Sequence, residues 1–266
     1  MSAIDDLFSE YRTTGRKAFM PFITAGDPDL HFTADVLRLL NRHGASLIEL
    51  GIPYSDPIAD GPVIQASYTR ALARKVRLGQ IFEMLGEVHG DLAAPVVTMV
   101  SYAIVYRHGT ERYVVDAKAA GAAGAIVPDL PAEESADLSE ICRREDFSLI
   151  QLITPTTPRE RALRIIEQTT GFIYYVSVAG ITGERKELPP EIADNVAWLR
   201  EQSDLPVCIG FGISTPEHVK KLAPVADGLI VGSAIVRRMA QDEQRPRSEM
   251  LEEIGEYVDS LVAALR

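Results

Sequence analysis

Positive charge is what this sequence is shortest of for its size. Lys and Arg total 27 against 38 Asp and Glu, a formal charge of −11. A nucleic-acid surface needs clustered cations to neutralise phosphates, so the balance argues against that class of partner. The acidity bears on solubility rather than on fold, and it leaves a phosphorylated metabolite open, because backbone N–H groups bind phosphate locally. Cysteine is almost absent. Cys142 and Cys208 lie far apart and form neither a CxxC nor a metal spacing, which reads as two reduced cytosolic thiols. No apolar run approaches the about 18 residues of a membrane span, and "MSAIDDLFSEYRTTGRKAF" has no apolar core of signal-peptide type. A soluble, cytoplasmic protein with no membrane contact is expected. The five histidines, His31, His43, His89, His108 and His218, fall in helical or loop segments, which counts against His catalysis and a His-ligated metal. No lysine lies inside a predicted strand, which counts against a Schiff-base aldolase.

What is present is a repeated strand. Short apolar, β-rich runs recur at 18–24, 46–50, 95–101, 124–128, 148–154, 172–177, 206–211 and 227–233, with helical periodicity between them. One helix opens after Asp29, carries Phe32, Val36, Leu39 and Leu40 at helical spacing, and stops at Gly44. "DLPAEESADLSEICRRE" opens with acids and closes with bases, as the helix dipole favours. Leu251, Ile254, Tyr257, Val258, Leu261, Val262 and Leu265 form the stripe of an amphipathic closing helix, and Ile4, Leu7, Phe8 and Tyr11 a shorter one ahead of the first strand. Eight strand–helix alternations predict a parallel sheet with crossover helices. A doubly wound open sheet competes, but no linker or composition shift divides the chain. One (β/α)8 barrel domain over 1–266, which at about 250 residues is the usual size, is expected. It carries an extra N-terminal helix and an insertion after the second strand, where the longest gap falls.

In such a barrel the site lies at the C-terminal strand ends, with phosphate at the loops after strands seven and eight. Here those ends read "IGFGIST" and "IVGSAIV", with Gly210, Gly212, Gly232 and Ser233, while "SVAGITGE" after strand six adds Gly180 and Gly183. Glycines at three consecutive strand ends remove side chains where backbone N–H groups must approach an anion. On "SLIEL" the side chains alternate, so Ile48 and Leu50 share one face and Leu47 and Glu49 the other. With the apolar face on the helices, Glu49 points into the barrel, where desolvation raises its pKa and suits it to general acid/base work. Neither the strand nor the other strand ends offers it an obvious cation. Asp56 before Pro57 and Asp60 before Gly61 each fit a turn former as well as a catalytic acid, and local sequence does not rank them. Phe22, Tyr102, Ile126, Tyr174 and Phe211, near strand ends, are candidates for a flat apolar pocket and equally for core.

The segments "MPFITAGDP" (20–28), "IELGIPYSDPIADGPVIQAS" (48–67), "VPDLPAEES" (127–135), "AGITG" (179–183), "VCIGFGIS" (207–214) and "IVGSAIV" (230–236) resemble the tryptophan synthase alpha subunit family, nearly end to end and in the family's order. The resemblance implies a barrel that cleaves indole-3-glycerol phosphate to indole and glyceraldehyde 3-phosphate without a cofactor. It assigns catalysis to Glu49 and Asp60 together with the active-site Tyr174, and the indole pocket to Phe22, Tyr102, Ile126 and Phe211. It assigns the remaining substrate contacts to Thr182, Gly183, Gly212, Gly232 and Ser233. It also implies a partner, a beta subunit carrying pyridoxal phosphate in an α2β2 complex. Pro53 and Asp56 then belong to the closing, partner-facing loop rather than to the chemistry. The sequence departs from the family at Ile104 (commonly Asn), Val178 (often Arg), Tyr54 (frequently Phe) and Phe172 (a Tyr in some members). Ile104 and Val178 bear on coupling to the partner rather than on catalysis. A free-standing lyase that releases indole and a non-catalytic regulatory barrel are the competing readings; intact Glu49 and Asp60 speak against the second.

Overall fold

The eight apolar runs form eight parallel strands that pair in sequence order and close on themselves. The computed structural model describes residues 2–57, 60–176, 191–210, 212–240 and 245–265. The strands are β1 (Ala18–Thr24), β2 (Ile48–Gly51), β3 (Val96–Met99), β4 (Ala122–Ile126), β5 (Ser148–Ile153), β6 (Ile173–Val176), β7 (Val207–Gly210) and β8 (Gly228–Val231). The open doubly wound alternative is thereby excluded. β4 begins two residues earlier than its apolar run predicts. Ala122 pairs with Val96 across a local irregularity in the ladder, so backbone pairing extends the strand through small residues of weak β-propensity.

The helices between them are α1 (Ala3–Thr14), α2 (Leu30–Arg42), α3 (Pro62–Ala73), α4 (Leu78–Val88), α5 (Tyr102–His108) and α6 (Thr110–Ala119). They continue with α7 (Ala136–Arg144), α8 (Arg159–Gln168), α9 (Ile192–Gln202), α10 (Pro216–Leu222), α11 (Ser233–Met239) and α12 (Arg247–Leu265). Asp29 caps α2 by accepting from the Phe32 N–H at 2.8 Å. The acidic opening of "DLPAEES" does not start a full helix. A single 3₁₀ turn over Ala132–Glu134, closed by the Ser135 N–H donating to the Ala132 carbonyl at 3.3 Å, precedes α7.

Strand alternation sorts the core into two shells. Ile23, Ile48, Leu50, Ala125, Leu149, Ile209 and Leu229 face outward to the helices, whereas Met20, Phe22, Leu47, Val97, Ile126, Tyr174 and Ile230 fill the interior. α1 plugs the N-terminal mouth of the barrel. Its Ile4, Phe8 and Tyr11 join the interior cluster, Phe8 packs its ring 5.9 Å from that of Phe172, and the Ser2 and Ser148 hydroxyls hydrogen-bond at 2.8 Å. Phe172 is therefore a floor residue. α1 thus closes the N-terminal end of the barrel.

Among the described residues, the expected insertion after β2 is residues 52–57 and 60–61, outside any strand or helix, together with α3. Ile64, Ser67, Tyr68 and Ala71 form its buried face, and Ile64 and Tyr68 reach the interior cluster. Two side-chain links tie α3 to the end of β1. The Thr24 and Ser67 hydroxyls hydrogen-bond at 2.7 Å, and Arg70 donates to both oxygens of Asp27 at 2.8 and 2.6 Å.

Candidate active site

Glu49 is the middle inward residue of β2, beside Phe22 on β1 and Val97 on β3. It is fully buried, and neither carboxylate oxygen has a hydrogen-bond partner. Burial alone pushes its pKa well above the usual carboxylate range, because the charged form loses its hydration and gains no compensating cation. Burial thus favours the protonated form, which suits the residue to giving up a proton and recovering one. Two residues further along the same face, Gly51 makes room for its neighbours. A Cβ there would stand 2.5 Å from Phe22 Cζ and 3.0 Å from the Tyr68 hydroxyl.

Tyr174 crosses from β6 to β7 in the same way, over Gly210. A Cβ at Gly210 would lie 2.4 Å from the Tyr174 hydroxyl oxygen, so only glycine allows that ring its position. The Tyr174 phenol is pushed up by burial first and then by the nearby Glu49 and Asp60. Gly210→Ala is expected to displace Tyr174, costing about 1–3 kcal/mol of stability by overpacking together with turnover; thermal melts and initial rates check both.

Burial separates the two loop acids. Asp56 is exposed. Asp60 is largely withdrawn from solvent, and its pKa is pushed up to about 6, by desolvation first, with the Tyr54 hydroxyl pulling the other way. Tyr54 donates to Asp60 Oδ2 at 3.5 Å, a long contact, and its ring leans on Tyr68 at 5.4 Å. Gln65 secures the loop by donating to the backbone carbonyls of Pro57 and Asp60 at 3.2 and 2.7 Å. Pro53 is buried at the base of the same loop.

Gly232 and Ser233 lie at the start of α11, where no side chain caps the first turn, and Gly212 has φ +78°. The Gly232 Cα faces Phe22, whose Cβ would be 3.6 Å from a side chain there. Phe22 thus spans from the Glu49–Gly51 wall to Gly232 just after β8, and Ile126 lies in the same interior cluster. Tyr102 is set apart. It opens α5, pairs with Tyr106 at 6.2 Å and packs on the outer shell. Ile104 packs against that shell as well. Thr182, Gly183 and Phe211, like Val178 and Gly180, fall outside the described residues. Among the described residues, no group of three His, Cys, Asp or Glu side chains is placed to hold a metal ion, and no helix is long and apolar enough to cross a membrane.

Sequence reasoning missed Tyr68 and Asp129. Tyr68 is a helix residue whose inward aim depends on where α3 docks. Asp129 accepts from the Ser101 hydroxyl at 2.6 Å and the Tyr102 N–H at 2.7 Å, joining the loop after β4 to the start of α5. No local signal marks either residue; the "PDLP" context of Asp129 reads as a turn.

The sequence profile of the family described as "Tryptophan synthase alpha chain" matches residues 8–265. A tryptophan synthase alpha chain of Rhodopirellula baltica is 54% identical, with 100% of this chain and 99% of the relative covered. One of Synechocystis is 47% identical over 91% and 92%. Among solved structures, tryptophan synthase subunit alpha from Legionella pneumophila superposes with TM-score 0.90 at 34% identity, covering 100% of this chain and 98% of the other. A buried glutamate whose carboxylate oxygens have no hydrogen-bond partner is thus carried by a chain whose likeness to these proteins runs its whole length, and the chain belongs to the tryptophan synthase alpha chain family.

Proposed function

We propose that this chain cleaves indole-3-glycerol phosphate to indole and glyceraldehyde 3-phosphate as the alpha component of a two-component synthase. One observation carries the reading beyond family membership: Glu49 is a sealed carboxyl with no partner for either oxygen. Glu49 starts as the acid and gives its proton to the indole C3, so positive charge develops on the ring nitrogen. Asp60, ionised above about pH 6, accepts from the indole N–H and stabilises that charge. The Glu49 carboxylate then takes the proton from the hydroxyl on the adjoining side-chain carbon. The C–C bond breaks, its electron pair returns to the ring, and the hydroxyl-bearing carbon leaves as the aldehyde. Glu49 ends as it began, so the balance needs no cofactor.

Phe22, Ile126, Phe211 and Tyr174 flank the indole in this reading, with Tyr102 at its rim. Gly212, Gly232 and Ser233, with Thr182 and Gly183, take the phosphate end. The chain works as one barrel domain in the cytoplasm. Its partner is a pyridoxal-phosphate-dependent beta subunit that receives the indole in an α2β2 complex. Tyr106 on α5, 72% exposed, and the exposed Asp56 suit a docked partner.

The test is to run the chain with and without its cognate beta subunit on gel filtration and to follow aldehyde release across pH. Expected are a complex, a rate increased by the partner, and a bell-shaped kcat/KM. The acid limb near pH 6 reports Asp60 becoming protonated, and the alkaline limb reports Glu49 losing its proton. High activity alone with no complex would identify a free-standing lyase. No cleavage under either condition would sink the reading altogether.

A further inference from the structure

Tyr68 carries a hydroxyl with no use in the steps above. It is 1% exposed, and its oxygen is buried with no hydrogen-bond partner. A buried hydroxyl left unpaired is costly, so an orphan in a well-packed core calls for an explanation. Among the described residues, five buried side-chain polar atoms lack a partner, and three of them are the two Glu49 oxygens and the Tyr68 hydroxyl. The Glu49 oxygens belong to the inner wall of β2, and the Tyr68 hydroxyl reaches that wall from α3. Glu49 and Gly51 are consecutive inward positions, ~7 Å apart along the strand, and the Tyr68 oxygen lies 3.0 Å from where a Gly51 Cβ would sit. The hydroxyl is therefore one step nearer the C-terminal end of the barrel than the catalytic carboxyl and turned toward the same interior.

Its position is held from three sides. The preceding residue, Ser67, is bonded to Thr24 at 2.7 Å. Arg70, two residues on, grips Asp27. The Tyr54 ring packs against the Tyr68 ring at 5.4 Å. The groups that face it are Glu49, Asp60 and Tyr54, none of them a cation, and burial together with these neighbours pushes the Tyr68 phenol far up. It therefore stays protonated and acts as a donor that needs an oxygen acceptor. The substrate's indole N–H is a donor and is taken by Asp60, and its phosphate is taken at the β7 and β8 ends. The acceptor left near Glu49 is a hydroxyl oxygen of the glycerol chain.

We propose that Tyr68 is a further substrate contact, donating a hydrogen bond to the glycerol-chain oxygen that gives up its proton to Glu49 and becomes the aldehyde oxygen. Tyr68 neither gains nor loses a proton. Its bond orients the C–O group toward Glu49 and steadies the oxygen as the O–H breaks. This rests on the lyase reading above and adds a residue to it.

Tyr68→Phe keeps the ring and removes only the oxygen. Wild type, Tyr68→Phe and Glu49→Gln are compared for cleavage of indole-3-glycerol phosphate, for binding of a deoxy analogue that keeps indole, three-carbon chain and phosphate but lacks both hydroxyls, and for thermal midpoint. Expected for Tyr68→Phe is a 10- to 100-fold fall in kcat/KM, with analogue affinity within about twofold of wild type and no fall in thermal midpoint, since an orphan is removed. Unchanged kcat/KM, or a parallel loss of analogue binding or of thermal midpoint, overturns the proposal by making Tyr68 inert or a packing residue. Failure of the lyase reading itself looks different: wild type is inactive, or Glu49→Gln remains active.

Discussion

Replacing Glu49 by Gln is expected to lower kcat for cleavage of indole-3-glycerol phosphate by about 10³-fold, within the usual range for a removed general acid/base. The amide has nearly the same shape, but it cannot protonate C3 and cannot take the hydroxyl proton. Stability should move the other way. The folded-state pKa of Glu49 is raised well above its ordinary value, so its contribution to stability is fully present below the unfolded pKa and is lost as pH rises through the folded pKa. At pH 8 wild type must therefore either bury a charge or hold on to a proton, whereas Glu49→Gln does neither. The variant should melt at least as high as wild type at pH 8, with the difference shrinking toward pH 5. Lyase rates and melts at the two pH values check both halves. Surviving activity would remove Glu49 from the mechanism, and a lower melt at pH 8 would show that its carboxyl has a favourable partner.

Replacing Arg70 by Met should produce the largest stability loss. The Asp27 side chain is 0% exposed, and the Arg70 guanidinium, 36% exposed, donates to both of its oxygens. Removing one partner of a fully buried pair costs about 3–5 kcal/mol, and partial solvation of this arginine brings the expected loss below that range, to about 2–3 kcal/mol. For a chain of this size that corresponds to a fall of about 4–10 °C in Tm. Burial already raises the Asp27 pKa, with Arg70 opposing it. Without the guanidinium the pKa climbs further, so the ionised form is penalised most at neutral pH. The gap between variant and wild type should therefore narrow as pH falls toward 4 and Asp27 takes up a proton in the native state. A loss that does not depend on pH would mean that Arg70 acts through the packing of its methylene stem. Because the same pair holds α3 against β1, activity should fall too, as Tyr68 and the loop before α3 lose their seat.

Some of the site was legible before folding because β-strand side chains alternate with a period of two. Ile48 and Leu50 are apolar and Glu49 is not, which is enough to send Glu49 inward once β2 belongs to a barrel with helices outside. The glycines at 210, 212 and 232 were legible for a similar reason, since a missing Cβ at a strand end is a local property. At Gly210, however, the neighbour that needs the space is Tyr174, one strand away.

Asp56 and Asp60 show where local reading stops. Each stands in a turn-forming context, beside Pro57 and Gly61 respectively, and their intrinsic chemistry is the same. Only the folded loop withdraws Asp60 from water beside Tyr54 and leaves Asp56 outside. Tyr102 depends on tertiary structure in another way: α5 begins there and sets the ring against Tyr106 and the outer shell, toward the rim of the proposed pocket. Sequence by itself determined the eightfold strand–helix order, the two faces of each strand and the inward glutamate, because these follow from periodicities within single segments. Tertiary structure alone decided which loop acid is the more withdrawn from water and that α3 aims Tyr68 at the wall beside Glu49. The seat of α3 rests on contacts between residues 43 apart in the chain, Thr24 with Ser67 and Asp27 with Arg70, which no local pattern encodes.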